Sequence, residues 1–340
     1  MIQRETINNI QMLRAVAAIL VLLHHALPHY KAMGETLWII DVISHWGFVG
    51  VDIFFVISGY IMAYTTFSKE RTLKNANRFV KHRLYRIYLG YWPFFLAAFI
   101  LLLLTNPDKL VSLDSFGSLF LLNTDMFQLV LPVSWSLSYE LYFYITFFFT
   151  FFISREQLYI VIPILYIILV VIVVSIYMNP ELTNSFFYSP FLLEFFAGVL
   201  LYMYQKHLIK LWILPFSIVV ILVAYYYGIT YEIKNGLLRV LSFGVASVFV
   251  ILTVLILEVQ GVYSAGKRIV LLGNASYTLY LSHLIIIDLF YFSGLRGFFT
   301  HDGYSYPLLG LVGMMLLTIL FSILYYQKVE QKIYHKAINY

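Results

Sequence analysis

The sequence predicts an all-α integral membrane protein of about ten transmembrane helices with both termini cytoplasmic, and three observations carry the prediction. The 340 residues are 61% hydrophobic and only 11% charged, with a mean hydropathy of +0.84. A soluble domain carries roughly a quarter of its residues as charges, so this chain could not cover its own surface in water. Its apolar runs reach the ~20 residues that a helix needs to cross a bilayer core. The basic residues, finally, sort by loop. With the N-terminus inside, only Lys31, Lys109, Lys234, Arg239 and Arg296 of the 22 Lys and Arg fall outside, and the rest fall inside, the asymmetry of a membrane-oriented chain.

The expected spans lie at roughly 10–28, 47–66, 88–105, 134–153, 158–178, 188–205, 211–228, 237–258, 275–293 and 306–326. The first contains AVAAILVLL, which has the look of a signal-peptide core, but His24 and His25 at its end fit no cleavage region and the helix is expected to be retained. The stretch 110–133 reads as an interfacial or re-entrant segment. No repeat, linker or soluble module interrupts the chain, so residues 1–340 form one membrane domain. The 29 tyrosines and 30 phenylalanines suit lipid-facing packing and interfacial belts. The absence of cysteine excludes thiolate catalysis, disulfides and thiolate-bound metals. The net charge of +5 belongs to topology, and no nucleic-acid partner is expected; membrane lipids are.

Ionisable groups at bilayer depth are costly and are functional candidates by default. Arg14 and His25 share the first helix eleven positions apart, 20° from three full turns, so they project from one face roughly 16 Å apart. A lone histidine at a helix end is ordinarily a satisfied interface residue; its alignment with an arginine favours function. Glu140, in Trp135-Ser-Leu-Ser-Tyr-Glu140, is expected at the depth of His25, where a carboxylate would fix the imidazole tautomer and stabilise an imidazolium. Asp52, early on the second helix, is the rival partner. The bland reading of either is a structural carboxylate paired with a neighbour. Glu194 and Asp288 read as packing-related. Ser58-Gly59 lets helices approach, or leaves room for a thin ligand chain. The basic run from Lys69 to Arg86 serves topology and anionic headgroups; within it Arg83 and Arg86, on one helix face at the threshold of the third helix, suit phosphates. Tyr277 fits an aromatic belt and Ser276 a helix cap, whereas His283 lies deeper. No cluster suggests a metal.

Taken together, these stretches resemble the acyltransferase type 3 family of membrane-bound acyltransferases. The resemblance rests on Gln11-Met-Leu-Arg14-Ala-Val-Ala-Ala ending in His25, on Gly47-Phe-Val-Gly50-Val-Asp52-Ile-Phe-Phe-Val-Ile-Ser58-Gly59, and on Arg83-Leu-Tyr-Arg86-Ile. It continues through Trp135-Ser-Leu-Ser-Tyr-Glu140-Leu-Tyr-Phe-Tyr and Ser276-Tyr277-Thr-Leu-Tyr280-Leu-Ser-His283. The five occur in family order from residue 11 to about 283, and the opening resembles members that decorate exopolysaccharides. Leu89-Gly90 stands where a proline is common, and Ser rather than an aromatic precedes His283.

The resemblance implies a ten-helix core in the bacterial cytoplasmic (inner) membrane that takes acyl groups, usually acetyl, from acetyl-CoA or another short acyl-CoA inside. It delivers them to glycans, lipid-linked or polymerised, at the outer face. It implies His25 as catalytic histidine with Arg14 as motif partner, Arg83 and Arg86 at the entry of the CoA phosphates, and Glu140 as a site carboxylate. In the expected mechanism the CoA arm passes Ser58-Gly59, Tyr277 and His283 lie on the donor side, and His25, oriented by Glu140 or Asp52, deprotonates the acceptor hydroxyl. Ser136 or Tyr280 are candidates for oxyanion support, and an acyl-histidine is the variant. The C-terminal hydrolase-like domain of some relatives is not expected, nor its serine relay; polysaccharide export machinery is the candidate partner. The rival readings are a multi-pass transporter of small solutes, which predicts paired discontinuous helices in two halves, and a non-enzymatic subunit of polysaccharide export, which leaves the Arg14–His25 alignment unexplained.

Overall fold

The computed structural model describes residues 7–179, 188–301 and 303–338. It is 82% helix, with no strand among the described residues. Arg4, counted above among the inside charges, lies outside the described residues. The helices in chain order are α1 (Asn8–Lys31), α2 (Trp38–His45), α3 (Val49–Thr66), α4 (Leu73–Thr105), α5 (Pro107–Ser112), α6 (Ser115–Phe120), α7 (Trp135–Phe149), α8 (Arg155–Met178) and α9 (Phe191–Leu208). They continue as α10 (Leu214–Thr230), α11 (Gly236–Arg239), α12 (Val245–Val259), α13 (Lys267–Asn274), α14 (Ser276–Phe292), α15 (Leu295–Phe298), α16 (Ser305–Tyr325) and α17 (Gln331–Ile338).

Among the described residues seven helical stretches are long and apolar enough to cross a membrane: Asn8–Lys31, Val49–Thr66, Leu73–Thr105, Arg155–Met178, Leu211–Thr230, Gly236–Val259 and Ser305–Ala337. An eighth is the α13–α14 pair, bent by 64°. The protein is therefore a multi-pass membrane protein. The expectation of ten spans counted two more helices. One is α7, which has only 15 residues; the other is α9, whose Gln205-Lys206-His207 end lowers its hydropathy. Both occupy positions where spans are expected, but length and apolarity do not mark them.

Two local features differ from expectation for clear reasons. α4 starts at Leu73, so the basic run is helix from there on rather than loop, and Arg83 and Arg86 lie three to four turns inside it. Lys, Arg, Leu and Ala dominate this run, and no Gly or Pro interrupts it before Gly90, so nothing opposes helix there. Ser276 is the first residue of α14 and makes no cap bond; the cap position is Ala275. The stretch 110–133 forms no span. It turns through α5 and α6, whose caps Asn106 and Asp114 accept from Lys109 N and Gly117 N, and it is tied to α4. Tyr91 and Tyr88 hydroxyls donate to the Ser118 and Phe120 carbonyls at 2.8 and 2.9 Å, and Trp92 Nε1 to Leu119 O at 3.2 Å.

The chain divides into two compact units. The first comprises Met1–Leu13, Asp52–Lys81 and Tyr139–Gly266. Here α3 and α9 meet backbone to backbone: a Cβ on Gly59 would lie 1.9 Å from the Phe195 carbonyl oxygen, and one on Gly198 2.1 Å from that of Val56. Val173, Leu193, Leu237 and Val240 form a buried cluster among α8, α9 and the α11 region. α8 begins with a capping box, Ser154 and Gln157 bonding each other's backbone. The second unit comprises Arg14–Val51, His82–Ser138 and Lys267–Tyr340. Its core includes Leu22, Ala26 and Tyr30 of α1, Ile287 and Phe290 of α14, and Leu311 and Met314 of α16.

Candidate active site

The second unit brings two histidines together. His283, 0% exposed on α14, places Nε2 3.3 Å from Nδ1 of half-buried His25 on α1, with ring centroids 4.9 Å apart. Backbone carbonyls, which only accept, assign the tautomers. His25 Nδ1 lies 2.9 Å from Val21 O and His283 Nδ1 3.3 Å from Leu279 O, so each Nδ1 carries the hydrogen. His283 Nε2 then presents a lone pair to the His25 Nδ1–H, and His25 Nε2 keeps the lone pair that a general base needs. His24 is engaged elsewhere, with Nδ1 2.9 Å from Ser44 O on α2. Tyr280, whose ring lies 5.9 Å from that of His283, bonds Val133 O at 2.9 Å and Ser136 Oγ at 2.8 Å, and Ser136 also reaches Val133 O. These two hydroxyls are thus bonded to each other and to one carbonyl, which is what an oxyanion would have to displace.

Three turns back along α1, Arg14 takes part in a second cluster of the same unit. Glu330, in the π-helical turn after α16, accepts from the Thr278 hydroxyl of α14 and lies within the field of Arg86 and Arg14. Arg83 sits three residues before Arg86 on α4, half-buried like it. Tyr277 donates its hydroxyl to Ile87 O at 3.0 Å, and its ring lies where a Cβ on Gly90 would be, 2.3 Å from Cε1. That packing is a reason for glycine at the position where a proline is common. α14 therefore joins the two clusters: Tyr277 and Thr278 at the arginine end, His283 at the histidine end.

The remaining sequence-predicted residues belong to the first unit. Glu140 of α7 accepts from Tyr144, one turn on, and lies 3.5 Å from the Ser58 hydroxyl of α3. The space beside Gly59 is filled by the Phe195 carbonyl, the helix-approach use of a small residue. Asp52 is engaged in a buried ion pair. Arg239 Nε and Nη2 donate to its two oxygens at 3.0 and 2.7 Å, with the guanidinium 5.0 Å over the Phe191 ring and both groups nearly sealed (6% and 0% exposed). Glu194 is buried beside them and interacts with both.

Three residues escaped the sequence reading in these roles. His283 as the partner of His25 gave only the signal of a histidine deep in a span. Arg239 falls by loop position among the outside charges, although Leu237-Leu-Arg239-Val-Leu, a single arginine in an apolar run, is the pattern of an internally paired charge. Glu330, among the lysines of the last helical turns, gave no signal. Among the described residues no group of three or more His, Asp or Glu side chains is placed to hold a metal.

A helical, multi-pass protein with a histidine pair and an arginine cluster on shared helices is the class these elements define. A family model described as an acyltransferase domain, that of the acyltransferase type 3 family, matches residues 7–327. The chain belongs to this family and is a membrane acyltransferase. No curated protein and no solved structure matches it.

Proposed function

We propose that the protein transfers an acyl group, acetyl above all, from cytoplasmic acyl-CoA to a hydroxyl of a cell-surface or exported glycan, in the cytoplasmic (inner) membrane of a bacterium and at its outer side. The observation that carries this reading is the His25–His283 pair, in which His25, given its Nδ1–H by the Val21 carbonyl, lies on the same helix face as Arg14. Arg14, Arg83 and Arg86 receive the CoA phosphates, planar guanidinium donors being suited to them. The roughly 16 Å along α1 between Arg14 and His25 is the span that the extended thiol arm has to cover. His25 Nε2 takes the proton of the acceptor hydroxyl as its oxygen bonds to the thioester carbonyl carbon. The C–S bond then breaks, and the CoA thiolate leaves with the proton from the imidazolium. His283 is a positioning residue, holding the His25 tautomer and accepting from its Nδ1–H. Of the carboxylates, Glu140 stays a candidate for the site; Asp52 is already neutralised by Arg239 and is assigned a structural role. The test is acylation of surface glycan in cells carrying His25→Ala. The expected outcome is loss of acylation with undiminished protein in the membrane fraction, and retained acylation overturns the assignment.

A further inference from the structure

The second unit holds two neighbouring cavities that the proposed reaction leaves unassigned. The smaller, of about 220 Å³, lies at the C-terminal ends of α4 and α14, the ends that the basic residues of the loops assign to the outside; Thr105, Lys109 and Asp288 are polar in a lining otherwise apolar, and the Thr105 hydroxyl also donates to Leu101 O. Asp288 and Lys109 interact electrostatically. The larger, of about 510 Å³, lies between α4, α14 and α16, bounded by Phe94, Ile286, Leu289, Leu317 and Phe321. Among the described residues that line it, Ser282 and Ser293 are the polar ones. The two share Ile285 as a common wall, and Ser282 and Leu284, the chain neighbours of His283, line one cavity each.

The two differ chiefly in the polar groups that the smaller one adds to an apolar lining. A carboxylate, an ammonium and a hydroxyl supply acceptors and donors of both kinds with little net charge, which suits the hydroxyls of a neutral sugar and disfavours an anion. The larger cavity falls within the roughly 300–1,000 Å³ that holds a drug-sized ligand, yet it offers almost nothing to a sugar or to water. Apolar space of this kind is filled by hydrocarbon. Half-exposed Leu289 and Leu317 show that it opens onto the apolar outer surface. We propose that the pair forms one amphipathic acceptor site, and that the acceptor is a glycolipid. Its sugar lies at Asp288 and Lys109, and its long hydrocarbon chain lies along α14 between α4 and α16. The proposal rests on the acyl-transfer reading and specifies its acceptor as lipid-carried.

The experiment reads binding, so that its outcome does not depend on transfer. The purified full-length protein in phospholipid nanodiscs is photolabelled with a long-chain alkyl hexoside bearing a diazirine in its tail, and in parallel with a phosphatidylcholine bearing the same diazirine. The hexoside is expected to label peptides of α14 and α16. Leu317→Trp, which fills the apolar cavity, and Asp288→Asn, which removes the headgroup carboxylate, are each expected to cut that labelling at least ten-fold. Leu317→Met, which keeps the volume, retains it. Unchanged labelling in both of the first two variants overturns the site. Loss with Leu317→Met as well shows that filling is not the cause and overturns it too, and equal labelling by phosphatidylcholine overturns the glycolipid assignment in favour of bulk lipid. Acyl transfer with no hexoside labelling would leave the transferase standing and remove only this acceptor site.

Discussion

Replacing Arg239 by methionine would strand Asp52, a carboxylate with 0% exposure that receives donors at 3.0, 3.3 and 2.7 Å from that one guanidinium. Glu194, buried next to the pair, would then face Asp52 without the compensating cation. Breaking a buried pair from one side costs about 3–5 kcal/mol, because the surviving charge is left uncompensated. The site's depth places Arg239→Met at the upper end of that range. Asp52→Leu strands the guanidinium and is expected to cost a similar amount, relieved in part by the Lys234 carbonyl 3.4 Å from Nη1. The double variant removes both charges and puts hydrocarbon in their place, a change that is often close to neutral. It is therefore expected to cost about 1–2 kcal/mol in total, giving a coupling energy of roughly 4 kcal/mol or more. Denaturation of the purified single and double variants in mixed micelles, followed by tryptophan fluorescence, closes the cycle. Additive single costs, with a coupling under about 1 kcal/mol, would refute the reasoning.

Two further predictions concern His283 and the crossing of α3 with α9. His283→Leu removes the acceptor of the His25 Nδ1–H and is expected to lower kcat at least about ten-fold, part of the 10²–10⁴ that general-base catalysis supplies. KM for acyl-CoA should stay unchanged, and His283→Gln, whose amide oxygen can accept, should recover part of the loss; an unchanged kcat in steady-state assays of His283→Leu would remove the positioning role. Gly59→Ala places a methyl 1.9 Å from the Phe195 carbonyl oxygen and must push α3 from α9 at a cost of about 1–3 kcal/mol. Denaturation in the same micelles measures it, and a neutral substitution there would contradict the close crossing.

What could be read from the sequence was set by the range of the interactions involved. The spans of α8 and of α12 with its preceding turn are runs of consecutive apolar residues, with mean hydropathies of 3.1 and 2.8, and a run announces itself locally. The stretch 110–133 was recognisable as something other than a span, because Asp114, Asn123 and Asp125 break its hydropathy. The start of α4 was hidden because a basic run beside a membrane suits loop and helix equally, and the helix wins here on propensity alone. The Arg14–His25 alignment was legible because one helix period fixes it. The partners were not: His25 and His283 are 258 residues apart, and Asp52 and Arg239 are 187 apart. Periodicity within a helix says which face a residue occupies, while only the packing of helices says what that face meets. Glu140 and Asp52 were therefore both open as orienting groups for His25, and the contact within the second unit that periodicity does not foresee is the one with His283.

The central claim, that His25 is the base of an acyl transfer from CoA, is tested most directly by release of free CoA from acetyl-CoA in proteoliposomes supplied with bacterial glycolipid. The account predicts acceptor-dependent release by the wild-type protein and background release by His25→Ala, with equal amounts of both proteins inserted. Equal acceptor-dependent release by the two proteins would contradict it.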